Sequence, residues 1–252
     1  ADPDPDAEAD GRLNYLFKYV TVILGNKISS SDISHQRAET AEAHVRTATA
    51  YVLNKLTQET VASLGDNINV EVTGKVDVKA DGKTDVYSLA DASKNSNDKK
   101  FAIAAAITEV VEDTIAKVGT ASVTAPNMDV TAYGDKKFET KAISGEGRDE
   151  VEIAGAVAIT RVNTSENANG TRAVVGQGNL NITNKLNVYA EVNQVDSTIA
   201  TAIKTVKVIE DNEEKDKNYY GLGPSFAATE SFANVEASVD ATVNAKNVEI
   251  QT

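Results

Sequence analysis

The chain has 252 residues, 41% of them hydrophobic but only 5% aromatic, with no Trp, no Cys and a formal net charge of -13. The missing thiols exclude disulfides, thiolate catalysis and Cys-ligated zinc; the acidic balance argues against nucleic acid and anionic membrane, whose phosphates need Lys and Arg. An apolar share built mostly from Ala and Val predicts a narrow core of small, closely stacked side chains.

Residues 1–12 begin ADPDPDAEADG, acidic and Pro-interrupted, and read as a flexible tail or an expression remnant; no signal peptide is visible. The apolar run LNYLFKYVTVIL (Leu13–Leu24) contains Lys18. It is about 12 residues long against the roughly 20 of a spanning helix, so it is expected as a buried strand or short helix, with no membrane insertion. SSSDISHQRAETAEAHVRTA (Ser29–Ala48) has Ser and Asp at an N-cap position and mixes Ala with Glu and Arg, which predicts one N-terminal helix; residues 13–47 would cap the fold. His35 and His44 lie there without the i, i+4 spacing or further ligands of a metal site, and are expected to face solvent.

From residue 48 onward the chain repeats. FAIAAAITEV (Phe101–Val110) set over IAGAVAITRV (Ile153–Val162) pairs Ala102 with Ala154, Ala104 with Ala156, Ile107 with Ile159 and Thr108 with Thr160. FAATESFANV (Phe226–Val235) reads as a further copy, with Thr229 and Ser231 at the places of Ala104 and Ala106. Ala48–Gly65 aligns without a gap on Ala102–Gly119, and TRAVVG (Thr171–Gly176) is a similar ending. A second element follows each ending, centred on Val76-Asp77-Val78, Met128-Asp129-Val130, Leu186-Asn187-Val188 and Val248-Glu249-Ile250. Its spacings are 128−76 = 52, 186−128 = 58 and 248−186 = 62.

The repeat decides the secondary structure. FAIAAAITEVVEDTIAKVG alone has helix propensity, but what its copies keep is period 2, so it reads as two strands with Ala102, Ala104 and Ala106 on one face. The expected fold is mainly β: a right-handed parallel β-solenoid (β-helix) built from repeats of about 52–62 residues, each giving about four strands. The copies would be a partial one at 48–65, then 66–119, 120–176 and 177–240, with the start of another at 241–252. A chain that stops on an element boundary reads as a segment of a longer array.

Chemistry is sparse. No nucleophile elbow and no Gly-rich phosphate loop occur. The acid pairs Glu112-Asp113, Asp149-Glu150, Glu210-Asp211 and Glu213-Glu214 read as solvated loop charge. KADGKTD (Lys79–Asp85) reads as an Asp-Gly turn that offers calcium at most a weak site; no other cofactor is expected. Three charged connections, Lys94–Lys100, Gly145–Glu150 and Glu210–Pro224, precede the same strand in successive copies. In a stack they project from one edge, where insertions often build a binding face. The candidate partner-binding residues there are Tyr219, Tyr220, Lys99, Lys100 and Arg148.

The Ala/Gly/Val strands, such as IAGAVAITRV, followed by an element of the VTAPNMDVTA type, resemble the repeats of leukotoxin-type filamentous adhesins, large secreted proteins of Gram-negative bacteria built like autotransporter passengers. The resemblance covers residues 48–252. It implies a secreted or cell-surface β-solenoid that carries adhesive or toxic activity to a host cell-surface protein or glycan, and it supplies no catalytic residues. The expectation is therefore a non-enzymatic adhesin or toxin segment. A β-helix polysaccharide lyase or hydrolase, or a purely structural stalk spacer, is the alternative.

Overall fold

The computed structural model describes residues 27–28, 31–39, 47–93, 101–145, 153–164, 170–210 and 213–252; of 27–33, 47 and 204–222 it describes the backbone alone. These residues are almost wholly β, with no helix among them. The strands form two seven-stranded sheets, and the chain passes back and forth between them. Sheet A holds β1 (Lys27–Ile28), β3 (Thr47–Leu64), β6 (Phe101–Val118), β8 (Ile153–Val162), β9 (Gly170–Val175), β12 (Ser225–Ser231) and β13 (Val235–Val239). Sheet B holds β2 (Ser31–Glu39), β4 (Ile68–Glu71), β5 (Lys75–Ala92), β7 (Ala121–Ser144), β10 (Gly178–Glu210), β11 (Glu213–Leu222) and β14 (Thr242–Gln251). Every pairing is parallel except that of β10 with β11.

The register places like on like. Ala48 pairs with Ala102 and Ala102 with Ala154; Val76 pairs with Met128, Met128 with Leu186, and Leu186 with Val248. Along β6 the even-numbered residues are buried and the odd-numbered ones face out, the period-2 signature of a strand. Phe101–Val118 is one continuous strand of 18 residues, not two. By the expected bounds, copies 66–119 and 120–176 contribute three strands each (β4–β6 and β7–β9) and copy 177–240 four (β10–β13), near the expected four.

Between the sheets the inward residues form rows of differing chemistry. One end is alanine: Ala50, Ala104 and Ala156 of sheet A face Ala90 and Ala142 of sheet B in one buried cluster. The other end is bulkier, with Met128, Val130, Leu180, Ile182, Leu186 and Val188. Between them runs a row of hydroxyls. Thr108 Oγ1 lies 2.7 Å from Ser88 Oγ and 2.7 Å from Thr140 Oγ1; Thr160 lies 2.8 Å from Thr140 and 2.7 Å from Thr198; Thr198 lies 2.6 Å from Thr229. Asn54 extends the row downward, donating to Ser88 Oγ at 3.3 Å and accepting from Ser34 Oγ at 3.0 Å. The row zigzags from sheet to sheet, so each buried hydroxyl has partners above and below.

Several expectations change. The helix over Ser29–Ala48 is replaced by strand at Ser31–Glu39, which pairs residue for residue with Lys83–Asp91, and by strand again from Thr47; residues 40–46 lie outside the described ones. Ala, Glu and Arg favour helix only when nothing else competes. Here β5 offers a parallel partner, and burying Ser34 and Ala38 while exposing His35 and Arg37 suits a strand. Phe226 pairs with Val157, not with Ile153, and Thr229 with Thr160. Thr229, at the exposed end, joins the hydroxyl row through Thr198 at the expense of the Phe match. KADGKTD is no turn: Gly82 lies mid-strand in β5 and pairs with Gly134. A Cβ on Gly82 would stand 2.2 Å from Thr114 Oγ1, so the missing side chain lets sheet A approach.

Candidate functional site

The strand ends that flank the charged connections lie at one edge; residues 94–100 and 146–152 are outside the described ones. Ala92 and Ala202 both pair with Ser144 at the outgoing ends in sheet B, and Phe101 pairs with Ile153 at the incoming ends in sheet A. Lys99, Lys100 and Arg148 lie outside the described residues. Tyr219 and Tyr220 fall in β11, which turns back antiparallel on β10 instead of forming an open loop; the pairing shifts register between Lys204 and Val206, opposite these tyrosines.

Beside this edge the outer face of sheet A is apolar. Phe101 and Ile153 are adjacent at the rim, 40% and 50% exposed. The next row inward holds Ile103, 49% exposed, and Gly155. Then come Tyr51, Ala105, Val157 and Phe226, the last 56% exposed, followed by Leu53, Ile107, Ile159 and Ala228. A charged row closes the strip: Lys55 Nζ lies 2.6 Å from Glu109, and Arg161 reaches the same carboxylate at 3.8 Å. Gly155 opens a notch between its bulky neighbours, since a Cβ there would meet only Pro224, at 3.9 Å.

Parallel sheets are ordinarily covered on both faces, and a contiguous exposed apolar patch on a charged protein marks an interaction surface. The outer face of sheet B is the opposite in character. Its acids are matched by lysines along and across strands: Lys75 with Asp77 and Asp129, Lys79 with Asp81, Lys83 with Asp135, Lys185 with Glu249. Hydrogen bonding to Asp129 is the main cause raising the Lys75 ammonium above its ordinary 10.5, against a smaller opposing effect of burial. His35 is half-exposed, 3.4 Å from Asp85 and edge-on to Tyr87; His44 lies outside the described residues. No cluster of three or more His, Asp or Glu suited to a metal occurs among the described residues.

The sequence reading missed two features. It took Glu112 for loop charge, whereas Glu112 is mid-strand and buried, in contact with the buried ammonium of Lys136. It also gave the outer apolar strip no role. The signal for both was present, because counting by two from Ala102 puts Glu112 inside and Ile103 outside. No family model, curated protein or solved structure matches this chain, so the role of its surface follows from its own chemistry.

Proposed function

We propose that the chain is a run of coils from a right-handed parallel β-solenoid, part of a large secreted or surface-exposed bacterial adhesin or toxin resembling the leukotoxin-type filamentous adhesins. It acts without catalysis, by binding a host cell-surface protein along the loop-bearing edge and the apolar strip beside it. The observation that carries the reading is the exposed strip itself: Phe101, Ile153 and Phe226 stand out beside the edge where the strand ends flanking the charged connections lie, and the Lys55–Glu109–Arg161 row closes it. An apolar centre with a charged rim is the usual anatomy of a protein interface.

The test is binding of the labelled chain to cultured epithelial cells. Saturable binding is expected, weakened about tenfold or more by F101D together with F226D, the size of loss that central aromatic anchors give. Unchanged circular dichroism would show that the fold is kept. A second reading, a stalk spacer without a partner, is favoured by the hydroxyl row, which recurs in each copy and serves only the stack. Absence of binding by the unaltered chain supports the spacer. Ion pairing of the acids over sheet B weighs against a polysaccharide-cleaving groove there.

A further inference from the structure

We propose that the side chains of Lys136 and Glu112 join in an amide bond, a covalent staple between the two sheets. Lys136 lies on β7 and Glu112 on β6, facing one another across the core. Their side chains are 0% and 2% exposed, and Nζ touches Oε1. Thr108 and Thr140 meet in the hydroxyl row; two residues further along each strand come Val110 and Phe138, then this pair, then Thr114 and Gly134. The surroundings therefore exclude water while holding the two groups together.

The site is a poor host for ions. An ammonium brings three donors, yet no hydrogen bond to another described group reaches Nζ. Burying a charge without full pairing is costly, and removing both charges relieves that cost. The carboxyl is held in position. Its Oε2 lies 3.2 Å from Thr84 Oγ1, and the Glu112 backbone N–H donates to Asn163 Oδ1 at 2.9 Å. Groups fixed in contact react at effective concentrations far above any in solution.

The step balances without a co-reactant. The Lys136 ammonium gives one proton to the Glu112 carboxylate. The Nζ lone pair then attacks Cδ, forming the N–C bond. Oε1, the oxygen that Nζ touches, departs as water, carrying the transferred proton and a second proton from Nζ, while Oε2 stays as the amide oxygen, 3.2 Å from the Thr84 hydroxyl. Ammonium plus carboxylate becomes amide plus water, and nothing is oxidised or reduced. Water opposes such condensation by solvating the ions, a solvation this site withholds. In a chain without cysteine, the amide would do for the paired sheets what a disulfide does elsewhere.

Mass spectrometry of the intact chain, folded and then denatured, decides the matter. The expected mass is lower than the sequence mass by one water, and proteolysis should yield a branched peptide joining the Glu112 and Lys136 segments. K136M should show its full sequence mass. If K136M fails to fold, the unaltered chain decides alone. A folded chain at full sequence mass overturns the proposal. Loss of ammonia in place of water overturns it too, because Nζ would then have taken a Gln or Asn amide.

Discussion

Thr108→Val removes a hydroxyl from the middle of the buried row while keeping the side chain's shape. Thr108 holds two bonds, to Ser88 and to Thr140, both at 2.7 Å. Each is worth about 1 kcal/mol net, and partners left short add a further penalty. That penalty is small here, because Ser88 keeps Asn54 and Thr140 keeps Thr160. The expected loss is therefore about 2–3 kcal/mol, read as a lowered urea midpoint at unchanged slope. Thr229→Val, at the exposed end with one bond to Thr198, should cost under about 0.5 kcal/mol. Thr140→Val alone breaks two bonds. The double variant T108V/T140V breaks three in place of four, because the bond between the two is lost once. It should therefore be milder than the sum by about 1 kcal/mol. Equal costs for T108V and T229V, or strict additivity in the double variant, would refute the reasoning.

Two further predictions follow from packing and charge. Gly82→Ala drives a Cβ to 2.2 Å from Thr114 Oγ1, an overpacking expected to cost about 1–3 kcal/mol; adding T114A should restore most of the lost urea midpoint. Lys75 has its folded value raised above 10.5 by Asp129, so its contribution is fully present below 10.5 and fades as pH climbs through the raised value. The group is exposed and the effect small. A urea midpoint that falls at alkaline pH in the unaltered chain should fall less in D129N.

The strand-to-strand register was legible because paired neighbours are copies of one another, so aligning Ala102 with Ala154 in sequence aligned them in space. What failed was local judgement. Ser29–Ala48 was assigned to a helix on propensity, and no stretch of sequence that short announces that Lys83–Asp91 lies waiting as a parallel partner. The copy at Phe226 was set four residues out of place, because the match weighed Phe and Ala, whereas the fold aligns the hydroxyl of Thr229 with Thr160 and Thr198. Glu112-Asp113 looks like solvated charge when read as a pair; only the strand's phase separates an inward Glu112 from its neighbour. The strip was obscured by size. Bulk normally marks the core, but this narrow stack puts alanine inside and Phe101, Ile103 and Ile153 outside.

That inversion ties the surface to the interior. Rows of alanine are alike and would tolerate a slip of two residues between neighbouring strands at little cost. The hydroxyl row would not, since a slip of β8 sets Ala158 or Val162 beside Thr108 in place of Thr160 and carries the Thr160 hydroxyl away from Thr140. A slip of one residue would turn every inward side chain out. The apolar strip inherits its alignment from the same constraint. Ile103 stands beside Gly155, and Phe226 beside Val157, because Thr108, Thr160 and Thr229 are held in one line beneath them. Variants that break the hydroxyl row should therefore misalign the strip and weaken binding, even though no residue of the row reaches the surface of the strip.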